Sequence, residues 1–325
     1  MSISVIGGGA WGTAMAQVIA SSGEAVTLWA REPEVVASIV ASGENSLFLP
    51  GVKLASGIRA TEAMSEATEA KTLLIVAPAQ HLRSVLADIP VHGQNLILCT
   101  KGIEQGSGRF MHDIAAERGL GGGIAVLSGP TFAHEVAEGM PTAITLACED
   151  ESLGAALAKQ IARPHFRPYL STDVIGAEIG GAVKNVLAIG CGVVEGRGLG
   201  QNARAALIAR GFAEMTRFGL AFGARAETLA GLSGLGDLVL TCSSASSRNF
   251  SLGKGLGEGR SSAEMLADRR TVAEGASTAP VLQDIARSKG VDMPIVDAVC
   301  ALLAGEMDAA EVVRRLLARP IKVEG

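Results

Sequence analysis

Aromatic residues are scarce in this 325-residue chain: two Trp, one Tyr and eight Phe, 3% in all. A core short of large rings must be packed from Ala, Gly, Val and Leu, which suits close helix–helix contact. Cysteine is sparse too. Cys99, Cys148, Cys191, Cys242 and Cys300 are odd in number, widely separated and without a C-x-x-C pair. That excludes a disulfide framework and makes reduced thiols in a cytoplasmic protein the expectation. The five histidines are scattered, and His134-Glu135 lacks the second histidine of a zinc helix, so no metal is expected. Positive charge is not in excess. With 28 Lys and Arg against 33 Asp and Glu the net charge is −5, which argues against nucleic acid as a partner. An anionic ligand would need a local basic cluster to attract it. No apolar run reaches the about 18 residues of a membrane span. The opening MSISVIGG has no basic stretch before its apolar run, so neither a signal peptide nor a span is expected.

What is present is glycine, 41 residues of it, and the most informative of these come first. A short apolar run over 3–6 leads into Gly7, Gly9 and Gly12 at G-x-G-x-x-G spacing, then a helical pattern, then a second apolar run over 25–29. Strand, turn, helix and strand within about 30 residues make one nucleotide-binding βαβ unit. Gly7 would make the sharp turn, Gly9 let the backbone approach a pyrophosphate, and Gly12 let the helix pack on the sheet. The phosphates would sit on the free N–H groups at the helix start. After the second strand an NAD-preferring site commonly carries an acid; here Arg31 stands there, followed by Glu32. A guanidinium can bind a 2′-phosphate, which tilts the cofactor toward NADP. An Arg stacked beside adenine would be equally compatible with NAD.

Strand and helix signals alternate through the first half, with strands over 72–77, 95–99, 124–127, 142–147 and 166–170. Helices are predicted over 32–42, 80–88, 107–118 and 151–162, and a loop over 45–54. Continuous apolar strands between helices indicate a doubly wound α/β sheet, Rossmann-like, covered on both faces. Beyond about residue 172 strands stop and Ala-rich helical periodicity continues to the end. The length exceeds one ordinary core, so two domains are expected: 1–174 for the dinucleotide and 175–325, all-helical, for substrate. Ligands of such sheets bind beyond the strand carboxyl ends, which directs attention to 7–12, 77–81, 100–102 and 128–133.

Lys101 lies just past a strand end, as a ligand-binding or a surface lysine. The Ser128–Ala133 segment, SGPTFA, offers free N–H groups at a predicted helix start. The strongest local anomaly lies between Glu178 and Glu195, where the only charged residue is Lys184 and nearly everything else is apolar or small. On a helix, Gly180 and Ala188 flank Lys184 at four residues either side, a narrow face that another backbone could approach. Burial there would lower the lysine pKa toward the range useful for proton transfer; the alternative is a lysine snorkelling to solvent. Asn202 is expected to cap a helix starting at Ala203. Asp237, after a Gly-rich turn, could orient Lys184 or cap a helix. Ser247, Arg248 and Asn249 together offer an amide, a guanidinium and exposed N–H groups, which suits a phosphate monoester; an ordinary basic turn is the alternative. Glu274 says little alone.

In order along the chain, GGGAWGTA, the Asn45 loop with L-P-G, CTKGIE, LSGPTFA, the Lys184-Asn185 helix, GLGQNARAALIARG, LSGLGDLVLTCSS, SRN and VAEG resemble the bacterial NAD(P)-dependent sn-glycerol-3-phosphate dehydrogenases over essentially the whole length. The resemblance implies that Gly7, Gly9, Ala10, Trp11 and Gly12 bind the cofactor pyrophosphate and Arg31 the adenosine end. It implies that Lys101, Gly129, Thr131, Lys184, Asp237, Thr241, Ser247, Arg248 and Asn249 bind substrate, with Lys184 the acid/base and Arg248 and Asn249 on the phosphate. Lys101, Ala133, Arg248, Val272 and Glu274 would also face NADP or NAD. The reaction implied is reversible hydride transfer between NAD(P)H and dihydroxyacetone phosphate, giving sn-glycerol 3-phosphate for phospholipid synthesis. Two departures stand out: Ala10 where Ser is frequent, and Pro78-Ala79-Gln80-His81 in place of a Pro-Ser-His-Ala type. Neither removes a proposed reacting group.

Two rivals share parts of this pattern. A β-hydroxy-acid or ketopantoate dehydrogenase would prefer a carboxylate substrate, and an NAD(P)-sensing module would bind without turnover. The partner expected is a small phosphorylated molecule, and the Ala- and Gly-rich helices point to a homodimer through the helical part.

Overall fold

The computed structural model describes residues 2–267 and 273–318. The strands are β1 Ile3–Ile6, β2 Val26–Trp29, β3 Ile58–Thr61, β4 Thr72–Ile75, β5 Gln94–Leu98, β6 Gly121–Ser128, β7 Thr142–Ala147 and β8 Phe166–Ser171. They form one sheet in the order β3-β2-β1-β4-β5-β6-β7-β8. All neighbours are parallel except β6 and β7, which run antiparallel with Ser128 opposite Thr145. Among them lie α1 Ala10–Ala20, α2 Pro33–Ser42, α3 Met64–Ala67, α4 Leu82–Ala87, α5 Met111–Arg118, α6 Ala133–Ala137 and α7 Glu151–Ile161. β1 and β4 are wholly buried and apolar but for Ser4 and Thr72, as a sheet covered on both faces requires. Strand order reverses between β1 and β4, so the crevice for a ligand opens where the glycine turn and residues 76–81 follow those strands.

After Ser171 no further strand occurs among the described residues. There follow α8 Val174–Gly196, α9 Gly200–Ala221, α10 Ala226–Ala230, α11 Asp237–Cys242, α12 Arg248–Gly257, α13 Ser262–Met265, α14 Glu274–Ser288, α15 Pro294–Leu303 and α16 Ala309–Leu317. The fold is thus the expected α/β sheet with a helical second part. The 23-residue α8 is its axis. By length and composition it could cross a membrane, yet 89% of its apolar window is buried inside the protein. Its small residues admit neighbouring backbones: a Cβ at Gly192 would lie 2.0 Å from Phe250 O, and one at Gly196 2.2 Å from Lys254 O.

Three local expectations are corrected. β3 was not foreseen, because IRAT at the sheet edge has one buried residue in four. α5 begins at Met111 rather than 107, since residues 104–109 are held in a turn, with Glu104 N–H donating to Arg109 O and Gly108 N–H to Glu104 O. α9 begins at Gly200, not Ala203; Asn202 lies inside the first turn, and no side chain caps that end. At the opposite sheet edge β8 is blunted. Thr142 N–H donates to His165 O and Cys148 N–H to Ser171 O. Residues two apart along β8 therefore face β7, and Pro168 lies on the open side, where its missing N–H removes a donor from the free edge.

Glu214 of α9 shows how a buried carboxylate can replace a missing cap. It is 2% exposed. Its Oε1 accepts from Ile295 N at 2.8 Å and its Oε2 from Val296 N at 3.3 Å, at the start of α15. Burial pushes its carboxyl up to about 7 despite those two donors. The folded protein then holds this proton more tightly than the unfolded chain, so stability from this group is complete in acid and declines as pH rises toward 7. Glu214→Gln keeps an acceptor and removes the titration. Its melting temperature relative to wild type should climb by a few degrees, on the order of 1 kcal/mol, between pH 5 and 8. A difference that stays constant over that range in parallel melts would refute the assignment.

Candidate active site

The three glycines of the N-terminal turn have separable surroundings. Gly7 has φ +129°, and a Cβ there would lie 2.6 Å from Val76 O. A Cβ at Gly12 would lie 1.8 Å from Gly7 O, whereas one at Gly9 meets nothing within 4 Å. The open side of the turn is therefore at Gly9, the N-cap of α1, beside the unbonded N–H groups of the first turn with Ala10 and Trp11. This fits a pyrophosphate. Buried Asn45 pins the turn: its Nδ2 donates to Gly8 O at 2.8 Å and to Thr13 Oγ1 at 2.7 Å. That role was not read from the Asn45 loop, because a contact 37 residues away has no local signature. Arg31 follows β2 on the surface and makes no side-chain hydrogen bond or ion pair among the described residues. Ala133 opens α6, which packs on α1.

Lys184 lies on α8 with its side chain 8% exposed, and Asp237 opens α11 with none. Lys184 Nζ donates to Asp237 Oδ1 at 2.6 Å and to Thr241 Oγ1 at 2.9 Å. From the loop after β5, Lys101 Nζ donates to Asp237 Oδ2 at 2.7 Å and to Gly129 O at 3.3 Å. Thr131 Oγ1 also donates to Gly129 O. One buried carboxylate thus bridges two ammonium groups from opposite halves of the chain. Burial alone would raise the Asp237 carboxyl, but Lys101 and Lys184 outweigh it and hold it below its ordinary range. Burial pushes Lys184 down to about 8, against the pull of Asp237 and with the help of Lys101's like charge. An amine near 8 exchanges a proton in either direction near neutral pH. Asp237 is not a helix cap: it is the first helical residue, and its carboxylate is spent on the lysines.

The Ser-Arg-Asn corner begins α12. Ser247 is its N-cap, with Oγ accepting from Phe250 N at 3.2 Å. The Arg248 guanidinium is exposed and makes no hydrogen bond or ion pair among the described residues. Asn249 is buried; its Nδ2 donates to Asn185 Oδ1 at 3.0 Å and its Oδ1 accepts from Gly275 N at 2.9 Å. Much of the Asn249 amide is therefore used to tie α8, α12 and α14 together, leaving one Nδ2 hydrogen for a ligand. Glu274 Oε1 accepts from Ala79 N at 3.4 Å, which links the segment after β4 to α14. Burial pushes the Glu274 carboxyl up, and the Arg248 charge opposes this. Val272 lies outside the described residues. Gln80, in the departure noted above, donates to Ile103 O and accepts from Gln105 N at 2.9 Å each, which braces the Lys101 loop. A groove of about 1130 Å³ runs along β8 and α10, and no residue predicted for the site lines it.

Comparison with known proteins identifies the family. The family described as NAD-dependent glycerol-3-phosphate dehydrogenase matches through its N-terminus over residues 2–154 and its C-terminus over 173–314. The chain is 65% identical over 322 residues to a protein of Erythrobacter litoralis named glycerol-3-phosphate dehydrogenase [NAD(P)+], covering 99% of this chain and 97% of that one. It is 60% identical to one of that name from Sphingopyxis alaskensis, covering 99% and 97%. The crystal structure of glycerol-3-phosphate dehydrogenase from Coxiella burnetii superposes with a TM-score of 0.93 at 37% identity, covering 98% of this chain and 99% of that one. The chain belongs to the NAD-dependent glycerol-3-phosphate dehydrogenase family.

Proposed function

We propose that this protein interconverts dihydroxyacetone phosphate and sn-glycerol 3-phosphate with NAD(P)H or NAD(P)+. The observation that carries the reading is the buried Lys184 amine, brought near 8 and held on Asp237, with Lys101 on the same carboxylate. When bound, the nicotinamide supplies hydride to the ketone carbon or takes it back. The chain does the rest. Lys184, as ammonium, donates to the carbonyl oxygen and gives up its proton in reduction; as amine it removes the hydroxyl proton in oxidation. Asp237 orients it, Thr241 shares the carboxylate, and Lys101 keeps Asp237 ionised while reaching toward the substrate side with Gly129 and Thr131. Arg248 and the α12 N–H groups after Ser247, with Asn249, hold the phosphate, so remote binding energy positions the reacting carbon. Residues 1–174 form the dinucleotide unit, with Gly7, Gly9, Ala10, Trp11 and Gly12 on pyrophosphate and Ala133, Glu274 and Val272 toward the cofactor; 175–325 form the substrate unit. A homodimer through the helical part, where α9 leaves Ala205, Ala206 and Ala209 exposed, and a cytoplasmic location with reduced thiols complete the reading.

The deciding assay offers dihydroxyacetone phosphate with NADH and NADPH in parallel and unphosphorylated dihydroxyacetone as control. Oxidation of either cofactor by the phosphorylated ketone, and far slower oxidation by the control, is expected. Equal rates with both ketones, or turnover of a 2-oxo acid instead, would overturn the reading. Arg31 supports a lean toward NADP. Arg31→Ala should raise KM for NADPH roughly tenfold while leaving KM for NADH nearly unchanged; an unaltered ratio of the two would remove Arg31 from cofactor selection.

A further inference from the structure

One turn before Lys184 on α8 stands Gly180, which like Gly192 and Gly196 meets neighbouring main chain, but main chain of a different element from the α12 backbone those two meet. A Cβ there would lie 2.3 Å from Ser233 O and 2.9 Å from Gly234 Cα. These atoms belong to a π turn, Leu232–Gly236, inserted directly before Asp237. The turn is confined on its other side as well, since a Cβ at Gly234 would lie 1.9 Å from Leu229 O. Helix α8 therefore carries a notch, and main chain of the π turn is seated in it. Ser233 Oγ is buried without a hydrogen-bond partner among the described residues, and it is the main chain of Ser233 and Gly234 that meets Gly180. Notch and amine are four residues apart and share one face of α8. How deeply the turn sits fixes how far Asp237, and Thr241 one turn on, stand from Lys184. Single π windings inside helical segments are frequent at functional sites.

We propose that Gly180 is a positioning residue for the reaction: by admitting the π turn into α8 it holds Asp237 against Lys184. This rests on Lys184 being the acid/base of the function proposed above. The groups bearing on Lys184 are Asp237, Thr241 and Cys242 of α11, Lys101 after β5 and Glu274 of α14. Of the carboxylates among the described residues, only Asp237 bonds the amine, and the notch acts on that one.

Gly180→Ala must displace the turn, because the new methyl meets backbone atoms that cannot rotate away. Opening the Lys184–Asp237 contact should lower kcat for dihydroxyacetone phosphate at least about tenfold, with KM for NADH unchanged. The limb of the pH–rate profile belonging to Lys184 should move down by roughly one unit, as burial acts with less opposition from the carboxylate. Gly190→Ala, on the same helix with its nearest neighbour at 3.3 Å, should keep wild-type kcat and limb. If Gly180→Ala does not fold, Ser233→Gly decides alone: it adds no atom, loosens the same seat, and should shift the limb the same way by less. A folded Gly180→Ala, or in its place Ser233→Gly, with the wild-type limb overturns the proposal, whether or not kcat has fallen. Wild-type protein that fails to turn over dihydroxyacetone phosphate would sink the functional reading instead, before any variant is compared.

Discussion

Replacing Lys184 by Ala is expected to cut kcat by roughly 10³-fold in both directions, with NAD(P)H binding little changed. The amine is the titratable group whose burial and partners bring it near 8 beside the substrate residues. Its removal deletes the proton donor of reduction and the base of oxidation together. It also leaves Asp237 with Lys101 as its only ion-pair partner among the described residues, so part of the loss will reflect a disturbed pocket. Lys184→Arg separates the two effects. A guanidinium keeps the positive charge but does not lose its proton in proteins, so oxidation should remain abolished even where substrate still binds. In the wild-type enzyme, oxidation should rise and reduction fall as pH passes through about 8, the value to which burial pushes this amine. Near-normal turnover in Lys184→Ala, with the cofactor-binding isotherm preserved, would dismiss the assignment.

The second large effect is on stability. Gly192→Ala should destabilise the protein by about 3 kcal/mol or more, lowering the melting temperature by roughly 5 °C. The added Cβ would lie 2.0 Å from Phe250 O, 2.7 Å from Lys254 N and 2.9 Å from Gly253 Cα. All three are main-chain atoms of α12, so relief requires the two helices to part. From the other side, a Cβ at Gly253 would lie 1.9 Å from Ile189 O, so the contact is reciprocal. Gly190→Ala, two residues away, is the contrast. Its methyl would meet Leu207 Cδ2 at 3.3 Å and Ile295 and Val299 at 3.6 Å, beside an apolar cavity of about 30 Å³. With the end of the flexible Leu207 side chain able to give the few tenths of an ångström required, and a gain in helix propensity, it should stabilise by up to about 1 kcal/mol. Equal melting temperatures for the two variants would show that glycine spacing on α8 has no packing role. Because Arg248 and Asn249 begin α12, Gly192→Ala should also raise KM for the phosphorylated substrate in whatever fraction remains folded.

Much of this molecule was legible as a pattern along the chain. Buried strands such as Thr72–Ile75 and Thr142–Ala147 announce themselves as apolar runs, because a sheet covered on both faces tolerates little else. The glycine turn was legible because each glycine answers a separate steric demand. Lys184 was legible because a lone charge in a greasy helix is an anomaly. β3 was not, since an edge strand with Arg59 on its exposed side needs no such run. Nor was the reversed direction of β7, because apolarity says nothing about strand polarity.

The residues themselves determined that a dinucleotide-type sheet would be followed by helices, and that a lysine would be buried among small side chains. Periodicity and steric size act over a few neighbouring positions, and those can be read in order. Tertiary structure alone decided that Asp237 bridges Lys184 and Lys101, that Asn45 pins the glycine turn, and that a π turn rests in the notch at Gly180. Each depends on atoms far apart in the chain meeting at hydrogen-bond or van der Waals distance. Electrostatic and contact energies fall steeply with separation, so only the folded geometry sets which groups act on one another.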